Sequence, residues 1–166
     1  MWAAMASRVI FAIQTAHFTM DNLTAYLQNL VSDLESNTAK AGWFPSAVYP
    51  NGQSAAYIAM IQEKGDPAHN IPPRPFIRPA IAEHKQQWSD NLGGMIKSGM
   101  SGREALELTS VTMAADIQKA IIDVTMPRLS PITLAARRRR GNNNESPLND
   151  TGYMLSTCIG AVEAKE

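Results

Sequence analysis

A proline-rich segment, Asn70–Ala80, restricts the conformation of this chain more than any other stretch. It reads NIPPRPFIRPA, and its four prolines fix φ and remove four backbone donors. The residue before each proline is held towards extended geometry, so the pattern predicts neither a helix nor a central strand. We expect a stiff, extended arm that spans residues 66–80.

Three interpretations of this arm are open. It could be a rigid surface connector, a ligand for an aromatic groove, or an arm that docks on its own domain or on a neighbouring copy. The large apolar groups Phe76 and Ile77 would be an odd tail for an exposed ligand, which favours docking. We expect Phe76 to be buried in a core or a subunit interface, and the arginines of the arm to pair with carboxylates. The predicted docking residues are Pro73, Arg74, Pro75, Phe76 and Arg78.

Apolar periodicity predicts three long amphipathic helices. The first follows Asp21 as its N-cap, and its apolar residues fall at offsets 0, 3, 4, 7, 8 and 11. The second begins at Pro79 and places His84 on its apolar face. The third begins at the capping box Ser101–Glu104 and ends before Pro127. The stripe of the first helix consists of Leu23, Tyr26, Leu27, Leu30, Val31 and Leu34.

Three short helices are also predicted. Ser54 caps Ala55–Lys64, and Ser130 followed by proline begins a helix that ends near Arg138. Asp150 is the expected cap of the last, Thr151–Ser156.

Three short stretches read as strands, and together with the helices they define the fold class. They are Arg8–Gln14, Trp43–Tyr49 and Cys158–Val162. We expect an α+β fold in which the helices pack on a small, mostly antiparallel sheet. Residues 8–166 would form a single domain after a loose extension over 1–7, with a flexible loop at 139–148.

Composition favours a protein that associates with copies of itself. Fifteen basic and fifteen acidic residues cancel, which argues against a protein whose main role is to wrap nucleic acid. Charged residues make up only 18% of the chain, so a lone monomer would have a weakly charged surface. The single cysteine fits a reducing cytosol, and no membrane span or signal peptide is expected.

The residues offer little catalytic chemistry. The three histidines are far apart in sequence and lack metal-ligand spacing. Cys158 reads as a small buried apolar residue and His84 as a half-buried core or interface residue. We therefore predict that the protein is not an enzyme and binds no metal or cofactor. The competing hypothesis is a hydrolase that uses Cys158 or His84.

An arginine run, Arg137, Arg138, Arg139 and Arg140, is the one strong charge feature. The run could be the solvated end of a helix, where cations face the negative end of the dipole. It could also contact phosphates without reading base sequence. A small cytosolic nucleic-acid-binding protein that acts through this run is accordingly an alternative function.

Four sequence blocks resemble one known family. They are AGWFPSAVYPNGQSAAYIAMIQEKG (Ala41–Gly65), IPPRPFIRPAI (Ile71–Ile81), PRLSPITLAARR (Pro127–Arg138) and PLNDTGYMLST (Pro147–Thr157). In this order they resemble the neck or tail-completion proteins of long-tailed double-stranded DNA bacteriophages, a group of virion-morphogenesis and minor tail proteins.

The resemblance implies a structural role. Such a protein would complete the tail and join the tail tube to the head connector as a homo-oligomeric ring, with a hexamer expected from tail symmetry. Its neighbours would be the head-closure or connector protein and the tail-terminator or tail-tube protein. The arm would join subunits, and Arg137–Arg140 would contact the packaged DNA in the lumen. The expected location is the virion neck, and the host cytoplasm before assembly.

Overall fold

The computed structural model describes residues 20–165, which form six α-helices and one two-stranded antiparallel sheet. The predicted α+β class is confirmed. In chain order the elements are α1 (Met20–Ser36), β1 (Asn37–Gly42), α2 (Ala55–Lys64), a 3₁₀ turn (Pro67–His69), α3 (Ile77–Lys97), α4 (Gly102–Asp123), α5 (Pro131–Arg139), α6 (Tyr153–Ser156) and β2 (Ile159–Ala164). The expected strand Arg8–Gln14 and the extension over 1–7 lie outside the described residues.

Helix α4 is the centre of the fold, since α1, α3 and both strands pack against it. It begins at the predicted capping box, in which Ser101 Oγ accepts from Glu104 N and the Glu104 carboxylate accepts from Ser101 N. Its buried residues are mostly small, including Ala105, Ser110 and Ala114, which lets the neighbouring elements approach closely.

The sheet consists of β1 and β2, with Ala41 opposite Gly160 and Asn37 opposite Ala164. A Cβ at Gly160 would lie 2.2 Å from the carbonyl oxygen of Ser110, so the strand touches the backbone of α4 at this point. The sequence predicted no strand at Asn37–Gly42, so β1 is an element that the sequence pattern missed.

The predicted strand Trp43–Tyr49 is also wrong. This segment turns at Pro45 and forms a single bridge, between Val48 and Ser54. Pro45 has no N–H to donate to a ladder, and the Trp43 indole N–H instead donates to the carbonyl of Met154 at 2.7 Å.

The first helix is amphipathic, but its predicted stripe divides into two. Leu23, Tyr26, Leu30 and Leu34 are partly buried, whereas Leu27 and Val31 are 47% and 51% exposed. The Tyr26 hydroxyl donates towards the carbonyls of Ile96 and Met100, which ties α1 to the turn between α3 and α4.

Two predicted helix starts require correction. Helix α3 begins at Ile77 rather than Pro79, because a proline is tolerated in a first turn whose N–H groups have no intrahelical partner. Helix α6 begins at Tyr153 after Gly152, which adopts a left-handed conformation. Asp150 is therefore not its cap; its carboxylate instead accepts from Arg140 and forms an ion pair with Arg137.

Within the described range, no helix is both long enough and apolar enough to cross a membrane.

Candidate functional site

The proline arm docks on its own domain. Pro72 to Phe76 lies outside any helix or strand, and Arg74 N donates to the carbonyl of Gln62 at 2.7 Å. The Phe76 ring is buried and meets Trp43 edge to face, with ring centroids 5.9 Å apart. It belongs to a core that includes Ala80, Ile117 and Ile121, residues of α3 and α4. Phe76 therefore anchors the arm inside the same chain, and it is not available to a neighbouring subunit in this conformation.

A buried carboxylate, that of Glu63, receives the end of the arm. It accepts from the backbone N–H groups of Phe76, Ile77 and Arg78 at 2.7, 2.9 and 3.3 Å, and from Arg78 Nε at 2.8 Å. Burial alone would raise the pKa of the Glu63 carboxyl, but these hydrogen bonds outweigh burial and hold the pKa below its usual value. The carboxylate thus caps the N-terminus of α3, and the predicted pairing of Arg78 with a carboxylate has the geometry expected.

Arg74 has no such partner. Its side chain is buried, and Nε donates to the carbonyl of Pro127 at 2.9 Å. Its two terminal nitrogens donate to Gln62 Oε1 at 3.3 Å and to the carbonyl of Arg128 at 3.4 Å. These acceptors are neutral, so the expectation that Arg74 pairs with a carboxylate is wrong. The guanidinium instead fixes the arm to the segment that joins α4 to α5.

Arg137, the first residue of the arginine run, is buried as well. Its Nη1 faces the carbonyls of Asn144, Ser146 and Asn149 at 2.8, 2.8 and 3.3 Å, and its Nη2 faces that of Pro147 at 3.4 Å. The guanidinium therefore organises the loop after α5. Asn142 adds to this, since its amide donates to the backbone and side-chain oxygens of Asp150, both at 2.7 Å. The predicted flexibility of 139–148 stays a prediction.

The arm and the arginine run, which are separate features of the sequence, meet in one cleft of about 490 Å³. Arg74, Arg137 and Arg140 all line it, and Asp150 lies beside them. Burial, followed by the positive charge of Arg137, lowers the pKa of the Arg74 guanidinium. Aromatic and aliphatic side chains complete the walls: Tyr49, Ile58, Leu129, Leu148, Tyr153 and Met154.

The other residues of the arginine run are exposed, but two of them are paired. Arg138 Nη2 lies 2.7 Å from Glu145 Oε1, and Arg140 Nη2 lies 2.8 Å from Asp150 Oδ2. Among the side chains described, those of residues 22–165, Arg139 has no hydrogen-bond or ion-pair partner. The run thus presents one unpaired exposed cation instead of the four that the sequence suggested.

The candidate catalytic residues lie in separate surroundings. Cys158 is fully buried, and burial raises the pKa of its thiol to about 11, which keeps it protonated and unreactive. His84 stacks on Trp88, with ring centroids 6.1 Å apart. The side chains of residues 22–165 include no group of three or more His, Cys, Asp or Glu that could hold a metal ion.

Comparison with known proteins provides no match. No family model matches the chain, and neither the curated proteins nor the solved structures contain a similar one.

Proposed function

We propose that this chain is a structural virion protein of a phage neck, which completes the tail and joins the tail tube to the head connector as a homo-oligomeric ring around the DNA path. The four ordered sequence blocks suggest this role. Support from the structure comes from the apolar surface that a single copy leaves exposed.

The observation that supports this proposal is a set of exposed apolar side chains on one face of α4. Leu108, Val111 and Ile122 are each about half exposed or more, and they fall at helical offsets 0, 3 and 14. Leu27 and Val31 form a similar pair on α1. Apolar faces of this kind on a weakly charged protein are typical of surfaces that contact other protein. A ring requires head-to-tail contacts between unlike faces of identical subunits, and α1 and α4 offer two such faces.

In this proposal the subunits contact each other through helix faces instead of through the proline arm. Because Phe76 and Arg74 are buried in their own chain, the arm stabilises the protomer, and the helix faces make the contact. The exposed parts of the arm, Pro73, Pro75 and Arg78, remain able to touch a neighbour.

The test is the mass of the purified full-length chain by native mass spectrometry and sedimentation velocity. We expect a closed oligomer, with six times the 18.1 kDa chain mass as the leading candidate. The double variant Leu108→Glu/Val111→Glu should dissociate it, because a charge in a buried apolar contact is costly. Its circular dichroism should stay native, since both side chains are already exposed in the protomer.

Ser89→Glu, which adds a charge to an exposed position of α3, is the matched control and should leave the oligomer intact. A second, functional assay uses tails assembled without this protein. Heads should fail to join these tails until the protein is added. The proposal fails if the wild-type chain stays monomeric alone and on tail ends, and if tails that lack it join heads normally.

The nucleic-acid alternative depends on three exposed arginines, since Arg137 is turned inward. It predicts a gel shift with duplex DNA that weakens with salt and disappears in Arg138→Ala/Arg139→Ala/Arg140→Ala. Absence of a shift at low salt would remove this alternative and leave the neck proposal untouched.

A further inference from the structure

The cleft between the arm and the α5 loop contains more buried positive charge than its surroundings neutralise. Arg74 and Arg137 are only 5% and 4% exposed. Asp150 is the one carboxylate among the lining residues, and Arg137 and Arg140 share it as a partner. A buried charge is costly unless it is paired. Arg74 bonds only neutral oxygens and Arg137 shares its carboxylate with Arg140, so the charge balance of the cleft is incomplete.

The two guanidiniums also keep unused donors. A guanidinium has five N–H groups, and Arg74 makes three hydrogen bonds, all to neutral oxygens. Arg137 Nε is buried and lacks a hydrogen-bond partner among the described side chains, those of residues 22–165. Its nearest carboxylate oxygen, Asp150 Oδ1, lies 3.4 Å away.

We infer that this cleft is a binding site for a carboxylate, presented by an acidic side chain of a partner protein. A planar carboxylate matches the fork of a guanidinium, and it would replace the missing counter-charge between Arg74 and Arg137. The tyrosines and aliphatic walls of the cleft suit the apolar stem of a Glu side chain and a neighbouring apolar residue.

The geometry favours a protein carboxylate over a nucleic-acid phosphate. Phosphates of a rigid duplex line a convex backbone and are contacted by exposed cations, whereas Arg74 and Arg137 are buried. A single acidic side chain on a loop can enter such a cleft. Apolar surface next in sequence to the lining residues Tyr49 and Thr133, namely Val48 and Ile132, is exposed and could contact the rest of the partner. The inference holds whether or not the chain forms a ring.

The test follows the arginine Nε–Hε signals of the full chain by NMR, with Arg74→Lys and Arg137→Lys used only for assignment. The probe is the peptide acetyl-Ala-Leu-Glu-Leu-Ala-amide, and its Gln counterpart at equal ionic strength is the neutral control. We expect saturable shifts of the Arg74 and Arg137 signals with a millimolar Kd for the Glu peptide, and none for the Gln peptide.

Two variants, each of which removes one negative charge, test whether the peptide binds in the cleft. Asp150→Asn leaves the cleft more positive and should tighten binding of the Glu peptide by about threefold. Glu145→Gln removes the exposed partner of Arg138 outside the cleft and should leave binding unchanged. Arg74→Gln should weaken binding by about tenfold; if it does not fold, the comparison of Asp150→Asn with Glu145→Gln decides.

Several outcomes would overturn the inference. Equal shifts with the Glu and Gln peptides, or no saturable shift at all, would show that the two arginines serve only to hold the loops. Equal tightening by Asp150→Asn and Glu145→Gln would place the bound carboxylate elsewhere on the surface. Tighter binding of inorganic phosphate, or displacement of the peptide by duplex DNA, would assign the cleft to a different anion.

Discussion

Replacement of Glu63 by glutamine tests the reasoning on which the docked arm depends. Its Oε2 accepts from two backbone N–H groups, those of Phe76 and Ile77, and its Oε1 accepts from the backbone and side chain of Arg78. A glutamine keeps one oxygen and presents an NH₂ group to the other two donors. Two charge-assisted hydrogen bonds are lost, and donors face donors in a site that is only 6% exposed.

The expected cost follows from these contacts. Hydrogen bonds to a charged group contribute about 1.5 kcal/mol each at the low end of their range. The interaction of the carboxylate with the N-terminus of α3 adds about 0.5 kcal/mol. No further contribution is assigned to the ion pair with Arg78, because that side chain is largely exposed. The sum lowers the free energy of unfolding by about 3.5 kcal/mol in Glu63→Gln.

The pH dependence gives a second, independent signature. The folded-state pKa of Glu63 is lowered, so its stabilisation is fully present above the unfolded pKa, near 4.3, and is lost as the pH falls through the folded value. Wild-type stability should therefore decrease below about pH 4 more steeply than that of Glu63→Gln.

Urea unfolding followed by circular dichroism at pH 7 and in acid measures both effects. Glu35→Gln, at an exposed position of α1, should change neither. Two results would show that Glu63 does not cap α3 as described. One is a free energy of unfolding of Glu63→Gln within about 0.5 kcal/mol of wild type; the other is a loss of stability in acid as steep as that of wild type.

Three further outcomes are expected. Phe76→Ala should lower the free energy of unfolding by about 3–5 kcal/mol in the same urea assay, since the ring is buried; a loss under about 1 kcal/mol would contradict its anchoring role. Gly160→Ala should cost about 3 kcal/mol or more because its Cβ would overlap the Ser110 backbone, whereas Gly94→Ala, in open space on α3, should raise stability by up to about 1 kcal/mol. Cys158 should resist thiol reagents at pH 8 until the chain unfolds, because burial raises its thiol pKa to about 11; labelling at native conditions would show an exposed thiolate.

Helix starts with a local chemical signal were predictable from the sequence. Ser54, Ser101 and Ser130 each accept from a backbone N–H three residues ahead, as N-caps do. The start of α3 was misplaced because its cap, Glu63, lies more than a dozen residues earlier in the chain, and no local pattern indicates it. The expectation that the whole arm, 66–80, is extended was wrong in part, because Pro67–His69 forms a 3₁₀ turn and the residues from Ile77 onward are helical.

The sheet was only half predictable. The strand β2 was placed within two residues of its observed bounds, since Ile159 and Val162 give it β-forming character. The strand β1 reads NTAKAG and contains one β-branched residue, so its propensity indicates no strand. Pairing with β2 and packing of both strands on α4 determine its conformation, and tertiary contacts of this kind override local preference.

The hydrogen-bond partners of the buried arginines could not be predicted from the sequence. A carboxylate was the natural expectation for a buried arginine, yet Arg74 and Arg137 bind mainly backbone carbonyls, in segments whose positions only the fold determines. Carbonyls satisfy the donors of a guanidinium but do not cancel its charge. Consequently the two cations fix the arm and the α5 loop while leaving a net positive charge between them, and this combination makes the cleft the strongest candidate binding site in the part of the chain that the structure describes.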